Sequence, residues 1–271
     1  MYPELLRLGP FVISSYGFMM VVAFIAAYVL IQRDGKERGW PPELAQDLVF
    51  WAAVGGIFGA KVYYLIENIG RGAGENLAGL GDMLAGLFTL DLGRIAEGIQ
   101  NFGAGLVFFG GLMGGMLAGT LLLRRRKMPW LSTIDVVAPY LILGYAIGRI
   151  GCFLVGDDYG TTSNLPWAMA FPNGLPPTTV PVHPTQLYEV ILGLSIFAFL
   201  FRMRKRISFE GQLFGLYLML AGTERFMIEF IRTNRQYLFG FTGAQFFGVA
   251  MLAIGAYLLF RMPRRAAAVP S

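Results

Sequence analysis

Four basic residues, Lys61, Arg149, Arg225 and Arg232, stand inside or at the ends of long apolar stretches. A charge in such surroundings is costly unless it faces a cavity or a partner, so each is a functional candidate by default. Glu224 and Glu229 accompany Arg225, and the Arg225/Glu229 and Glu229/Arg232 spacings bring opposite charges together on a helix. Asp157, Asp158 and the single histidine, His183, follow Arg149. Converging guanidinium groups suit a phosphate, because each offers a planar fork of donors and stays charged. A phospholipid brings such a phosphate from the bilayer itself. The competing reading is structural: these charges staple helices together, or Arg232 snorkels to the headgroups. Cys152, three residues after Arg149, is open to a nucleophile reading, but a free cysteine in an apolar helix is commonly a packing residue. His183 is either a base or a hydrogen-bonded loop anchor.

The elements that must position these groups follow from composition. Of 271 residues, 55% are hydrophobic and 14% charged, against roughly a quarter charged in a soluble domain. Apolar stretches of membrane-crossing length recur at 12–32, 47–67, 102–123, 133–153, 184–202, 211–231 and 242–261. Each is expected to be a helix, because a spanning segment must satisfy its backbone hydrogen bonds internally. The expectation is an all-α, polytopic membrane protein of about seven transmembrane helices, one domain over 1–271, with a small periplasmic cap at 154–183. The first stretch lacks the basic flank of a cleaved signal peptide and should be retained.

A net charge of +5 could suggest nucleic acid, but most of the 22 Lys and Arg residues fall in short flanks. These are Arg33, Lys36 and Arg38; Arg124 to Lys127; Arg202 to Arg206; and Arg261, Arg264 and Arg265. With seven spans all four flanks share one side, which the positive-inside rule makes cytoplasmic. The N-terminus and the loop 154–183, which has no Lys or Arg, are then outside, and the four candidate basic residues approach the outer leaflet. One cysteine excludes an intramolecular disulfide and a CxxC site, and with one histidine a zinc site is not expected.

Two connecting regions are informative. In 68–101, Leu77, Leu80, Met83, Leu84, Leu87 and Phe88 keep helical spacing, which predicts a short interfacial helix. The third span carries Gly111, Gly115 and Gly119, a run that lets helices approach closely. The 154–183 loop has Pro166, Pro172, Pro176, Pro177 and Pro181, which predicts turns and extended chain.

Three motifs carry a family resemblance: 148–157 (Gly-Arg-Ile-Gly-Cys-Phe-Leu-Val-Gly-Asp), 183–189 (His-Pro-Thr-Gln-Leu-Tyr-Glu) and 225–232 (Arg-Phe-Met-Ile-Glu-Phe-Ile-Arg). Ser15-Tyr16-Gly17, Phe109-Gly110-Gly111, Asp135 and Pro139 add weaker matches. The chain resembles the bacterial prolipoprotein diacylglyceryl transferases. The resemblance implies a plasma (inner) membrane enzyme working at the outer leaflet. It would move the diacylglyceryl group of phosphatidylglycerol to the lipobox cysteine thiol of a prolipoprotein signal peptide, forming a thioether and releasing glycerol phosphate. Its implied partners are phosphatidylglycerol, prolipoproteins and membrane lipids, with no nucleic acid, metal or soluble cofactor.

By the same resemblance Arg149 and Arg225 hold the phospholipid and support the transition state, Glu229 orients Arg225, and Tyr16 contributes at the lipid site. Asp157 and His183 complete the catalytic candidates. Lys61, Arg232, Gln186 and Tyr188 complete the substrate-binding ones. Phe109 stands where the family commonly has a histidine, Cys152 where it has asparagine, Asp157 where it has glutamate, and Ala221 where tyrosine is frequent. Two readings compete with a transferase: a non-catalytic binder of phospholipid or lipoprotein, and an anion transporter, for which no internal repeat is evident.

Overall fold

The computed structural model describes residues 1–69, 73–103, 107–234 and 236–266. The first residues of the expected 102–123 stretch lie partly outside these, and the side chains of Leu77, Arg261, Arg264 and Arg265 are also outside the described set. Among the described residues the fold is all-α apart from two short hairpins, β1 (Glu4–Leu8) with β2 (Phe11–Ser14), and β3 (Met169–Phe171) with β4 (Thr178–Val182). Nine α-helices are seen among the described residues. They are α1 (Ser15–Glu37), α2 (Leu44–Glu67), α3 (Ala73–Thr89), α4 (Leu92–Gly103), α5 (Phe108–Arg125), α6 (Trp130–Val155), α7 (Thr185–Met203), α8 (Gln212–Ile228) and α9 (Gly243–Ala266). By length and composition five of the described helices can cross a bilayer: α1, α2, α6, α7 and α9. Helix α5 has 18 residues and α8 has 17, the latter continued by a 3-10 turn at Glu229–Ile231.

The chain divides into two compact units, one of Met1–Leu5, Ser14–Trp40 and Pro129–Ser271, the other of Leu6–Ile13 and Pro41–Met128. In the second unit α2 packs on α5 and α3 on α4. A Cβ on Gly110 or Gly114 would collide with the backbone carbonyls of Gly59 or Gly55. In lipid, where helices gain little from burying apolar surface against each other, such close approach is what holds them. The tightest seam therefore runs along Gly110 and Gly114, one residue ahead of the Gly111/Gly115/Gly119 run, of which Gly119 has open space beside it.

The region 68–101 differs from the single expected helix. It turns at Leu90 and starts again at α4, because the Asp91 carboxylate accepts hydrogen bonds from the backbone N–H groups of Gly93 (3.0 Å) and Arg94 (3.1 Å). That is a helix N-cap, and it divides an otherwise continuous apolar pattern. Arg94 then reaches back to Asp82 at 3.2 Å.

In the first unit α6, α7, α8 and α9 gather around buried Ile142, Leu200, Leu213, Leu218, Ala221, Met251 and Leu258, and α1 packs on α6. Helix α1 begins where the Ser14 hydroxyl accepts from Gly17 N–H at 3.0 Å. At the far end of the bundle from Arg149, buried carboxylates fasten the helices. Asp135 of α6 accepts from the backbone N–H of Gly211 (2.6 Å) and Phe214 (2.8 Å), satisfying donors that the start of α8 leaves free. Asp34 of α1 accepts from Tyr140 Oη and from Arg204 Nε, at 2.5 and 3.0 Å. Arg149 lies about 20 Å along α6 from Asp135 by helical rise.

Candidate active site

Helix α6 ends at Gly156, whose φ of +80° favours glycine and turns the chain out of the helix axis to present Asp157 and Asp158. The start of α7 then grips that turn. Thr185 Oγ1 donates to Asp158 O at 2.8 Å, and the fully buried Gln186 donates its amide to Asp157 O. The proline-rich segment between them is extended, with β3 and β4 antiparallel and Met169 opposite Val182. A bridge pairs Gly160 with Arg232, and Thr161 N–H donates to Ile231 O at 2.8 Å. A Cβ on Gly160 would meet that carbonyl, so glycine is what allows the approach. Arg232 is thus drawn out of α8 into an extended conformation, with φ −94° and ψ 160°.

These turns bring three guanidinium groups around Glu189, an α7 residue with no exposed surface. Its Oε2 lies 3.2 Å from Arg149 Nε, and its Oε1 lies 3.3 Å from Arg225 Nη1 and 3.4 Å from Arg232 Nη1. Asp158 closes the other side, 2.7 Å from Arg149 Nη1 and 2.6 Å from Arg232 Nη2. Glu229 lies 3.1 Å from Arg225 Nη2 and 3.9 Å from Arg232 Nε, and accepts from Asn234 Nδ2 at 2.7 Å. Three positive groups therefore face three carboxylates, an arrangement in which each buried charge has a partner. Glu189 and Glu229 are wholly shielded, whereas the Asp158 side chain is 44% exposed, so the cluster opens to the protein surface at Asp158.

Asp157 points elsewhere. Its Oδ1 is buried and has no hydrogen-bond partner among the described residues. Burial pushes its carboxyl above the usual carboxylate range, the neighbouring Asp158 adds to this, and Cys152, Arg149 and Arg232 only partly offset it. Asp158 behaves oppositely: burial opposes its ionisation, but Arg232 and Arg149 hold it below that range. Cys152 Sγ is 3.7 Å from Arg149 Nη1, and Tyr16 of α1 packs over Gly151 on the same side of α6. Cys152, Asp157 and Asp158 have ligand atoms within 4.8 Å of one another, but Asp158 is committed to two arginines.

The site candidates sort into groups. Arg149, Arg225 and Arg232 meet at Glu189, Glu229 joins Arg225 and Arg232, and Asp157 and Tyr16 lie beside Arg149. His183 and Tyr188 belong to a separate chain: Trp167 Nε1 donates to Tyr188 Oη at 2.7 Å, and His183 Nδ1 is 3.3 Å from that oxygen. Gln186 holds backbone. Lys61 belongs to the other unit, on α2, with its ammonium 5.4 Å from the centre of the Tyr64 ring.

The sequence matches the family described as prolipoprotein diacylglyceryl transferase over residues 3–261. The chain belongs to that family. Among its relatives are proteins named phosphatidylglycerol–prolipoprotein diacylglyceryl transferase. The one from Nitratidesulfovibrio vulgaris is 33% identical over 96% of this chain and 93% of its own length. That from Gloeobacter violaceus is 33% identical over 98% and 94%, and that from Pseudomonas paraeruginosa 32% over 99% and 96%. Similarity to the transferase family thus runs through both units.

Sequence reasoning weighed basic residues in apolar stretches and passed over the acid that organises them. Glu189 has the same signal as Arg149, an ionisable group inside an apolar helix, and it stands one turn from Gln186, which puts both on one face of α7. Asp158 left a weaker signal, as one of two adjacent loop acids.

Proposed function

We propose that this chain transfers the diacylglyceryl group of phosphatidylglycerol to the lipobox cysteine of prolipoproteins, as the names of its relatives say of them. The observation that carries the reading is the cluster of Arg149, Arg225 and Arg232 around Glu189, open beside Asp158. The phosphate of the lipid would take up the free donors of Arg149 and Arg225. The cysteine sulfur then attacks the glycerol carbon that bears the phosphate ester. A C–S bond forms as the C–O bond breaks, and the bonding pair leaves on glycerol phosphate. Charge grows on the leaving phosphate, and guanidinium groups already held in place stabilise it without reorganising. Glu229 sets the Arg225 fork, and Tyr16 lines the approach. Incubating purified protein with phosphatidylglycerol and a lipobox peptide, then weighing the peptide, tests the function: the peptide gains one diacylglyceryl mass.

The thiol proton needs an acceptor, and Phe109 cannot be one. A thiol with an unperturbed pKa of about 8.5 is already a few per cent thiolate at neutral pH, and a cationic site raises that fraction. Asp157, with its raised carboxyl and unpartnered oxygen, is the better placed acceptor, and His183 the alternative. A base with a raised pKa must lose its proton before it works, so the rate should climb with pH through a midpoint above the ordinary carboxylate range. In Asp157→Asn that acidic limb should vanish or move. Full rate from pH 6 to 9 in an Asp157→Asn, His183→Gln double variant would exclude both residues. The second reading, a binder that retains the phosphate cradle, rests on Phe109; transfer by Phe109→His alone, with none by the native protein, would establish it.

The same proposal includes orientation: seven crossings, with α5 and α8 among them, in the bacterial inner membrane. The N-terminus and residues 154–183 face outward as a cap, the basic flanks face the cytoplasm, and the site faces the outer leaflet. Support comes from the helix ends, since α6 and α8 finish at the arginine cluster while α1 and α7 finish where Asp34 meets Arg204. Alkaline phosphatase fused after Val180 should be active and after Lys127 inactive; the reverse pattern would invert the topology.

A further inference from the structure

Glu224 has no part in the transfer scheme, yet it is a buried acid on α8 immediately before Arg225, and only 7% exposed. Its Oε1 lies 3.2 Å from Tyr145 Oη, and the same phenol oxygen is 2.8 Å from Glu189 Oε1. A phenol carries one proton and can donate to one of these carboxylates at a time. Were both acids ionised, one would press an unbonded carboxylate oxygen on a phenol lone pair in a buried setting, which is unfavourable. Three guanidinium groups surround Glu189, so the phenol proton is drawn to it. Glu224 takes part in no ion pair among the described residues, and Arg225 turns its terminal nitrogens to Glu189 and Glu229 instead. The groups around Glu224 are Arg225 and Tyr217 on α8, Tyr145 and Arg149 on α6, and Glu189 on α7. Helix α9, packed against α8, has no charged residue from Gly243 to Phe260.

We infer that Glu224 is held protonated, donating to Tyr145, which donates in turn to Glu189, so that this pair acts as a positioning device behind the arginine cluster. The chain runs one way, Glu224 O–H to Tyr145 O, then Tyr145 O–H to Glu189 Oε1. It fixes the Glu189 carboxylate while adding no negative charge. The charge matters because three carboxylates already answer the three arginines, and an ionised fourth would repel an incoming phosphodiester. The kinetic part of this inference rests on the transfer reading, while its spectroscopic part does not.

Infrared spectroscopy of the purified protein in lipid should show the C=O stretch of a protonated carboxylic acid that is lost in Glu224→Gln. Glutamine can still donate to Tyr145, so Glu224→Gln should keep kcat within about threefold, the scale of one altered hydrogen bond, and should extend activity to higher pH. Tyr145→Phe breaks the chain to a charged acceptor and should lower kcat on the order of tenfold with KM less affected. Absence of a carboxylic-acid band from the difference between the native and Glu224→Gln spectra overturns the inference, and the Asp157→Asn spectrum identifies any band that belongs to that raised carboxyl. So does a tenfold or greater loss in Glu224→Gln at normal protein levels, which would mean that the ionised acid is the working form. Should the band behave as expected while the native protein transfers nothing, the transfer reading fails and the protonated Glu224 stands.

Discussion

Arg149→Ala and Arg225→Ala are each expected to lose about one to three decades of transfer rate, the 2–4 kcal/mol scale of removing a charged donor from a developing oxyanion. Lysine should rescue either poorly. Arg149 uses Nε toward Glu189 and Nη1 toward Asp158, and Arg225 uses Nη1 and Nη2 toward two different acids. An ammonium is a single point charge and cannot span two acceptors in this fixed fork. Lys205, exposed beyond α7, is the control, and Lys205→Ala should leave the rate unchanged. Arg204, its neighbour, is a poor control despite its place in a basic flank, because it pairs with buried Asp34 and its guanidinium lies 3.4 Å from the centre of the Phe201 ring. The assay is peptide mass gain per unit of folded protein. Near-native rates in both alanine variants would remove the phosphate cradle from the mechanism.

Glu189→Leu should have the largest effect on stability. It removes an acceptor that Arg149, Arg225 and Arg232 share and leaves a wholly buried apolar side chain among three guanidinium groups. Breaking a buried pair from one side costs about 3–5 kcal/mol, because the charge left behind is uncompensated. Glu189→Gln keeps the shape and one acceptor oxygen and should fall between Glu189→Leu and the native protein. Thermal unfolding in lipid nanodiscs, alongside membrane abundance, measures the order. A Glu189→Leu variant melting with the native protein would mean that the arginines are held by something other than Glu189.

Local patterns in this sequence were readable and long-range closures were not. The Arg225/Glu229 pair follows from helical spacing. The hairpin at 4–14 was less visible, because it presents no long alternation and mostly exposed residues. At 183–189 one motif supplies three jobs. Helical geometry sends Gln186 and Glu189 to one side and Tyr188 to another, so a motif read as a unit hides that His183 and Tyr188 pair with Trp167 and not with the arginines. Arg232 shows the limit most clearly. Its place depends on a bridge to Gly160, some seventy positions earlier in the chain, which no local spacing encodes.

The exposed carboxylate of Asp158 also bears on how an anion enters and leaves. Arg149 and Arg232 meet no vacancy at rest: the protein supplies its own counter-ion there, on a residue with φ of +61° just past the Gly156 turn. A phosphate that also reached for Arg149 Nη1 would exchange with this tethered carboxylate, which would return when the phosphate departed. Such an exchange sets one strong pairing against another, so three arginines already matched by three carboxylates would hold a charged product less tightly than unpaired guanidinium groups would.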